Sequence, residues 1–126
     1  MRNVLLVFLG GGLGSALRYL TILSVARCLP KAAFPWGVLI SNLVGSFMLG
    51  MLFTIPMLKE RSPGLWLFLA TGMLGGFTTF STLANDSWIQ FSGDRPMLAL
   101  ANSLGSITCG FVAAGLGWQL GRHLHS

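Results

Sequence analysis

Charge is the scarcest property of this chain. Of its 126 residues, 8 are Lys or Arg and 3 are Asp or Glu, so charged side chains make up 9%. An ordinary soluble domain carries roughly 25%. So few charges cannot coat a water-facing globule of this size, which excludes a soluble enzyme. Cysteine is nearly absent too. Cys28 and Cys109 have no CxxC spacing and no framework of partners, which excludes a disulfide scaffold. His123 and His125 alternate in a polar tail and form no ligand set, so a metal centre built from side chains is not expected. Disorder is excluded by a hydrophobic fraction of 53%. Glycine, by contrast, is abundant: 17 residues, about twice average usage. In so apolar a chain, this points to close helix packing inside a membrane.

A helical span needs about twenty apolar residues. Uncharged or nearly uncharged runs occur at about 3–26, 37–58, 65–91 and 96–121, separated by short polar turns rich in Pro, Lys and Arg. The chain is thus one transmembrane domain over 1–126, an all-α protein of four transmembrane helices. A cleaved signal peptide is not expected, because Val4–Leu9 is shorter than the usual apolar core of about 7–15 residues. Gly10–Gly14 is not a nucleotide loop, since neither a preceding strand nor a following phosphate-binding Lys accompanies it. The pairs Gly10/Gly14, Gly72/Gly76 and Gly117/Gly121, with Ser41/Gly45 and Ser46/Gly50, instead have the small-xxx-small spacing of packed helices.

Four spans put both termini and the second loop on one side. That side carries Arg2, Lys59, Arg61 and Arg122, against Arg27, Lys31 and Arg95 on the other. Orientation follows the Lys/Arg bias between sides, and here there is almost none. Two readings are open, a single weakly specified orientation or insertion both ways with antiparallel pairing, and a dimer is expected on either because four thin spans enclose little alone.

Polar groups at membrane depth are expensive and mark function. Asn42 lies in the second run and Arg18 in the first. The segment Thr71–Thr82 holds three glycines and five hydroxyl residues. Gly weakens a helix by about 1 kcal/mol relative to Ala, and hydroxyls compete for backbone partners. The third helix is therefore expected to break mid-membrane. Such irregular backbone persists only where it is buried or lines a wet cavity. Carbonyls freed at such breaks can hold Na⁺, and freed N–H groups face anions.

Gly75-Gly76-Phe77-Thr78-Thr79-Phe80-Ser81-Thr82 resembles the signature of the Fluc (CrcB) family of small bacterial fluoride channels. Gly11-Gly12 followed by Arg18, and Asn42 with Gly45, extend the likeness over essentially the whole chain. The resemblance implies an antiparallel, dual-topology homodimer in the bacterial cytoplasmic (inner) membrane, passing F⁻ passively out of the cell through two pores. It implies a structural Na⁺ at the dimer centre, held by the carbonyls of Gly75 and Thr78. It puts Phe80 on the fluoride pathway, with Asn42 donating to the ion. Fluoride ion, a second copy and the lipid bilayer are the implied partners; nucleic acid is not one.

The residue chemistry is consistent with that role. A pore for a small, firmly hydrated anion must replace water with donors without trapping the ion. The Asn42 amide and the hydroxyls of Ser81 and Thr82 are such donors, Phe80 offers the positive edge of its ring, and Arg18 helps concentrate anions. The resemblance also implies a hydroxyl-rich track along the fourth span, which Asn102 and Ser106 keep at i and i+4, while Gly110 and Ala114 continue that face without side-chain polarity. Leu83 stands where the family has a second Phe, and Asp86 where it usually has Glu. The rival reading is a proton-coupled small multidrug exporter, also built from four short spans. It needs a membrane-embedded carboxylate, yet the first two spans have none and Asp86 lies toward the end of the third.

Overall fold

The computed structural model describes residues 1–124, so His125 lies outside the described residues. Among those, every regular element is a helix. In order they are α1 (Arg2–Cys28), α2 (Trp36–Leu52), α3 (Pro56–Arg61), α4 (Pro63–Trp66), a π-helical stretch (Leu67–Leu74), α5 (Gly75–Phe77), α6 (Phe80–Ser92) and α7 (Pro96–Leu124). Proline sets most of the boundaries. Leu29, before Pro30, leaves helical geometry at φ −126° and ψ 61°, as the ring of a following proline requires. Prolines open α3, α4 and α7, where a missing N–H is harmless. The turn before α7 reverses at Asp94, φ 59°, a left-handed conformation that Asp tolerates better than most residues.

Among the described residues, three apolar stretches are long enough to cross a bilayer: Arg2–Cys28, Pro63–Ser92 and Pro96–Leu124. The second run ends as helix at Leu52 rather than continuing to Leu58. Phe53–Ile55 form a turn and Pro56 starts a separate helix on the far side. With 17 residues, α2 is roughly 25 Å long, near the lower limit of a span.

Glycine decides which helices touch. A Cβ on Gly10 would collide with the Phe68 carbonyl, and one on Gly14 with the Met73 carbonyl. From the other side, Cβ atoms on Gly72 and Gly76 would lie 2.9 Å from Val7 O and 2.6 Å from Gly11 O. The two GxxxG pairs therefore lock onto each other and set α1 against the 63–77 segment. Gly50 against Ala114, Gly117 against Phe47 and Gly121 against Thr54 do the same for α2 and α7. α6 packs on α7. The interior is small and partly polar, with Ser41, Asn102 and Ser106 buried, while Phe8, Met97 and Phe111 point outward. That inversion suits lipid as solvent: backbones approach closely inside and large apolar side chains face out. The molecule is a multi-pass membrane protein.

Candidate functional site

Between α5 and α6 stand two extended residues, Thr78 (φ −84°, ψ 156°) and Thr79 (φ −150°, ψ 121°). Their peptide groups need partners from elsewhere in the chain. Asn42 of α2 supplies two at once. Thr79 N donates to Asn42 Oδ1 at 2.7 Å, and Asn42 Nδ2 donates to Thr79 O at 3.0 Å. The side-chain amide thus pairs with the backbone as a neighbouring β-strand would. Gly45, one turn along α2, makes the approach possible, since a Cβ there would strike the Thr78 methyl group.

This pairing has a second effect. In an uninterrupted α-helix the Thr79 N–H would bond to Gly75 O; here it is given to Asn42. Gly75 O, in the last turn of the 63–77 helical segment, is therefore released from its ordinary donor, near a helix end where partial negative charge collects. Thr78 O turns toward α1 and accepts from Arg18 Nη1 at 3.3 Å. Gly75 O and Thr78 O are the groups here whose chemistry suits a hard cation.

On the other side of the interruption, Thr79 caps α6. Its Oγ1 accepts from Thr82 N at 3.3 Å and donates to Thr82 Oγ1 at 3.1 Å, with Ser81 Oγ 3.4 Å away. Phe80, the first residue of α6, is 75% exposed, so its ring edge is free. A groove of about 420 Å³ runs past this point, lined by Asn42, Thr79, Phe80, Leu83, Ser106 and Gly110 among others. It shares Ser46, Leu49 and Phe111 with a further groove of about 400 Å³ that reaches Ala114 and Trp118. The two grooves thus run end to end along the surface beside the closely packed α2 and α7.

Of the site residues singled out in the sequence, the groove gathers Asn42, Thr78, Phe80, Leu83 and Ser106. Ser81 is exposed beside it. Thr82 lies elsewhere, sharing with Asp86 a cavity of about 360 Å³ beneath the loop that joins α1 and α2. Leu83, although it borders the groove, is only 6% exposed. Asn102 does not line the groove in the protomer. It is 0% exposed and clamps α7 to α6, its Nδ2 donating to Ser87 Oγ at 2.9 Å and reaching Leu83 O at 3.5 Å. Ser87 Oγ in turn donates to Leu83 O at 2.8 Å. Asn102 Oδ1 and Ser106 Oγ are buried and make no hydrogen bond within the chain.

Sequence reasoning named Thr79 within the motif without giving it a role, and passed over Ser87. Thr79 had a signal, being a hydroxyl residue directly before a helical run, where an N-cap belongs. Ser87 had none, because its role depends on where α7 is packed.

Residues 5–118 match the family described as CrcB-like protein, Camphor Resistance (CrcB). Among curated relatives, the protein of Shewanella halifaxensis is 40% identical over 121 residues, covering 95% of this chain and 96% of that one. That of Bacteroides fragilis (strain ATCC 25285) is 40% identical over 124 residues, with 97% and 98% covered. A protein of Thermus thermophilus is 42% identical over 124 residues, with 98% of each covered. All three are named "Fluoride-specific ion channel FluC". With near-complete coverage at this identity, the chain belongs to the CrcB family.

Proposed function

We propose that this chain is a fluoride-specific channel, conducting F⁻ passively out of the cell and so protecting it from fluoride. The observation that carries the reading is the groove in which Asn42, Phe80 and Ser106 come together beside the Thr78–Thr79 interruption. One Asn42 amide hydrogen is held by Thr79 O. The group has two, which leaves one N–H to offer an anion. The free edge of Phe80 and the hydroxyl of Ser106 add positive potential without a fixed charge that would trap the ion. The relatives' name supports the same reading. The exporter alternative has only Asp86 for proton exchange, and Asp86 lies in the cavity away from the groove.

The working unit is an antiparallel homodimer in the cytoplasmic membrane, with the 65–91 span broken at bilayer depth. Two features support it. Lys and Arg are nearly balanced between the two sides, and Gly75 and Phe80 lie exposed on the protomer surface. A structural Na⁺ fits the carbonyls of Gly75 and Thr78, the first released by the Thr79–Asn42 pairing. Sodium would supply fixed positive charge there, and Gly75 and Thr78 are the residues that would hold it. The test is fluoride efflux from liposomes holding the purified protein, with chloride as control. Rapid fluoride loss with chloride retained is expected; equal or absent flux of both would overturn the reading.

A further inference from the structure

Arg18 is the only charged side chain in the 3–26 span. Among the described residues its one polar contact is the 3.3 Å hydrogen bond to Thr78 O. Its place is fixed by packing. Arg18 stands one turn beyond Gly14, on the face of α1 pressed so closely against Met73 and Phe77 that a Gly14 Cβ would be 2.9 Å from Phe77 N. The guanidinium is thus carried to the interruption by the same glycine-lined contact that orients the whole α1 helix. Thr78 O is also one of the two carbonyls proposed above to hold sodium, and the role inferred for Arg18 rests on that reading. A carbonyl oxygen has two lone pairs, so it can serve two partners. Both of these are full positive charges, since arginine does not lose its proton in proteins. Arg18 is half-buried, so its charge is screened less than one in water.

We infer that Arg18 sets how tightly the cation is held. The guanidinium is the resident positive charge at the Thr78 carbonyl, and sodium must share that oxygen with it or displace it. Arg18 is therefore a positioning residue, and its charge keeps the site from becoming a deep trap. Removing the charge should tighten sodium binding, whereas a residue that merely braces the carbonyl would loosen it when removed.

The experiment measures thermal stability of the purified, full-length assembly against Na⁺ concentration, with N-methylglucamine holding ionic strength constant. Arg18→Gln and Arg18→Met should both move the midpoint to Na⁺ concentrations lower by roughly tenfold. An unchanged midpoint, or one moved to higher Na⁺, overturns the inference while leaving the cation site standing. A wild-type protein indifferent to Na⁺ overturns the cation site and the inference with it. Should both variants fail to assemble, the wild type still decides. With ¹⁵N-labelled arginine, the Arg18 side-chain resonance should shift across the same Na⁺ range, and a resonance that stays in place overturns the inference.

Discussion

The Asn42 side chain does two jobs that different substitutions separate. Its amide closes both hydrogen bonds of Thr79 and keeps one N–H toward the groove. Asn42→Ala leaves the Thr79 N–H and carbonyl without partners, at about 1–3 kcal/mol for each buried group. It should lower the thermal unfolding midpoint in detergent and abolish fluoride efflux together. Asn42→Asp keeps the acceptor for Thr79 N but sets a carboxylate oxygen against Thr79 O. It should retain more stability than the alanine variant and still fail to conduct, measurable with the same two assays. Leu83 is the other informative position. It borders the groove that holds Phe80, yet it contributes no positive ring edge. Restoring one weak contact of about 1 kcal/mol should speed a permeation step by roughly fivefold. Because Leu83 is nearly buried, Leu83→Phe must place its ring in the groove or in the neighbouring cavity of about 510 Å³ between α6 and α7, both of which it lines. Faster fluoride efflux at unchanged discrimination against chloride is expected; a variant no faster than wild type would show that a ring at position 83 supplies no edge to the pathway.

Helices were legible in this sequence because lipid enforces a simple rule, that an apolar run of span length with few charges must be helical. The GxxxG pairs were legible as contact surfaces, and the structure adds which pair meets which. The end of α2 was not, because hydropathy alone does not distinguish a span from an apolar turn leading to Pro56. Nor was the π-helical stretch Leu67–Leu74, whose wider turn has no compositional mark. At the site, Asn42 and Phe80 stood out as a polar residue in an apolar run and as part of a dense motif. Asn102 did too, but its burial against Ser87 follows from the packing of α7 on α6, which no local pattern encodes. The element scale yields its own contrast. Gly14→Val would drive a side chain into the Met73 backbone, an overpacking penalty of about 1–3 kcal/mol or more, and should unfold or misassemble the protein. Gly75 is helical, with a Cβ site no nearer than 3.7 Å to Ala70 O. Gly75→Ala should leave the protomer folded, as judged by helical circular dichroism, so a loss of dimer in cross-linking would locate the clash at another chain.

At the scale of the molecule, the proposed antiparallel pair requires one sequence to sit in the membrane both ways. The packing contacts put Arg2, Lys59, Arg61 and Arg122 at one end, since Gly64 meets Leu6 and Gly121 meets Thr54. They put Arg27, Lys31 and Arg95 at the other, where Gln90 of α6 bonds to Ala33 of the α1–α2 loop. Four against three is too small a difference to fix orientation, because topology follows the Lys/Arg excess near span ends. Orientation should therefore be easy to tip. Two or three Lys added beside the N-terminus should drive every copy to place that end in the cytoplasm. All copies then face one way, and no antiparallel pair can form. Fluoride resistance in a sensitive host should vanish for this variant alone. It should return when a second variant, biased by Lys in the loop before α7, is co-expressed, because the two oppositely oriented chains can pair. Two controls make the outcome specific: equal membrane levels of each chain, and a cysteine-accessibility readout confirming each orientation. A uniformly oriented variant that protects the host unaided would show that the conducting unit does not require opposed copies, and the balance of charge would then need another explanation.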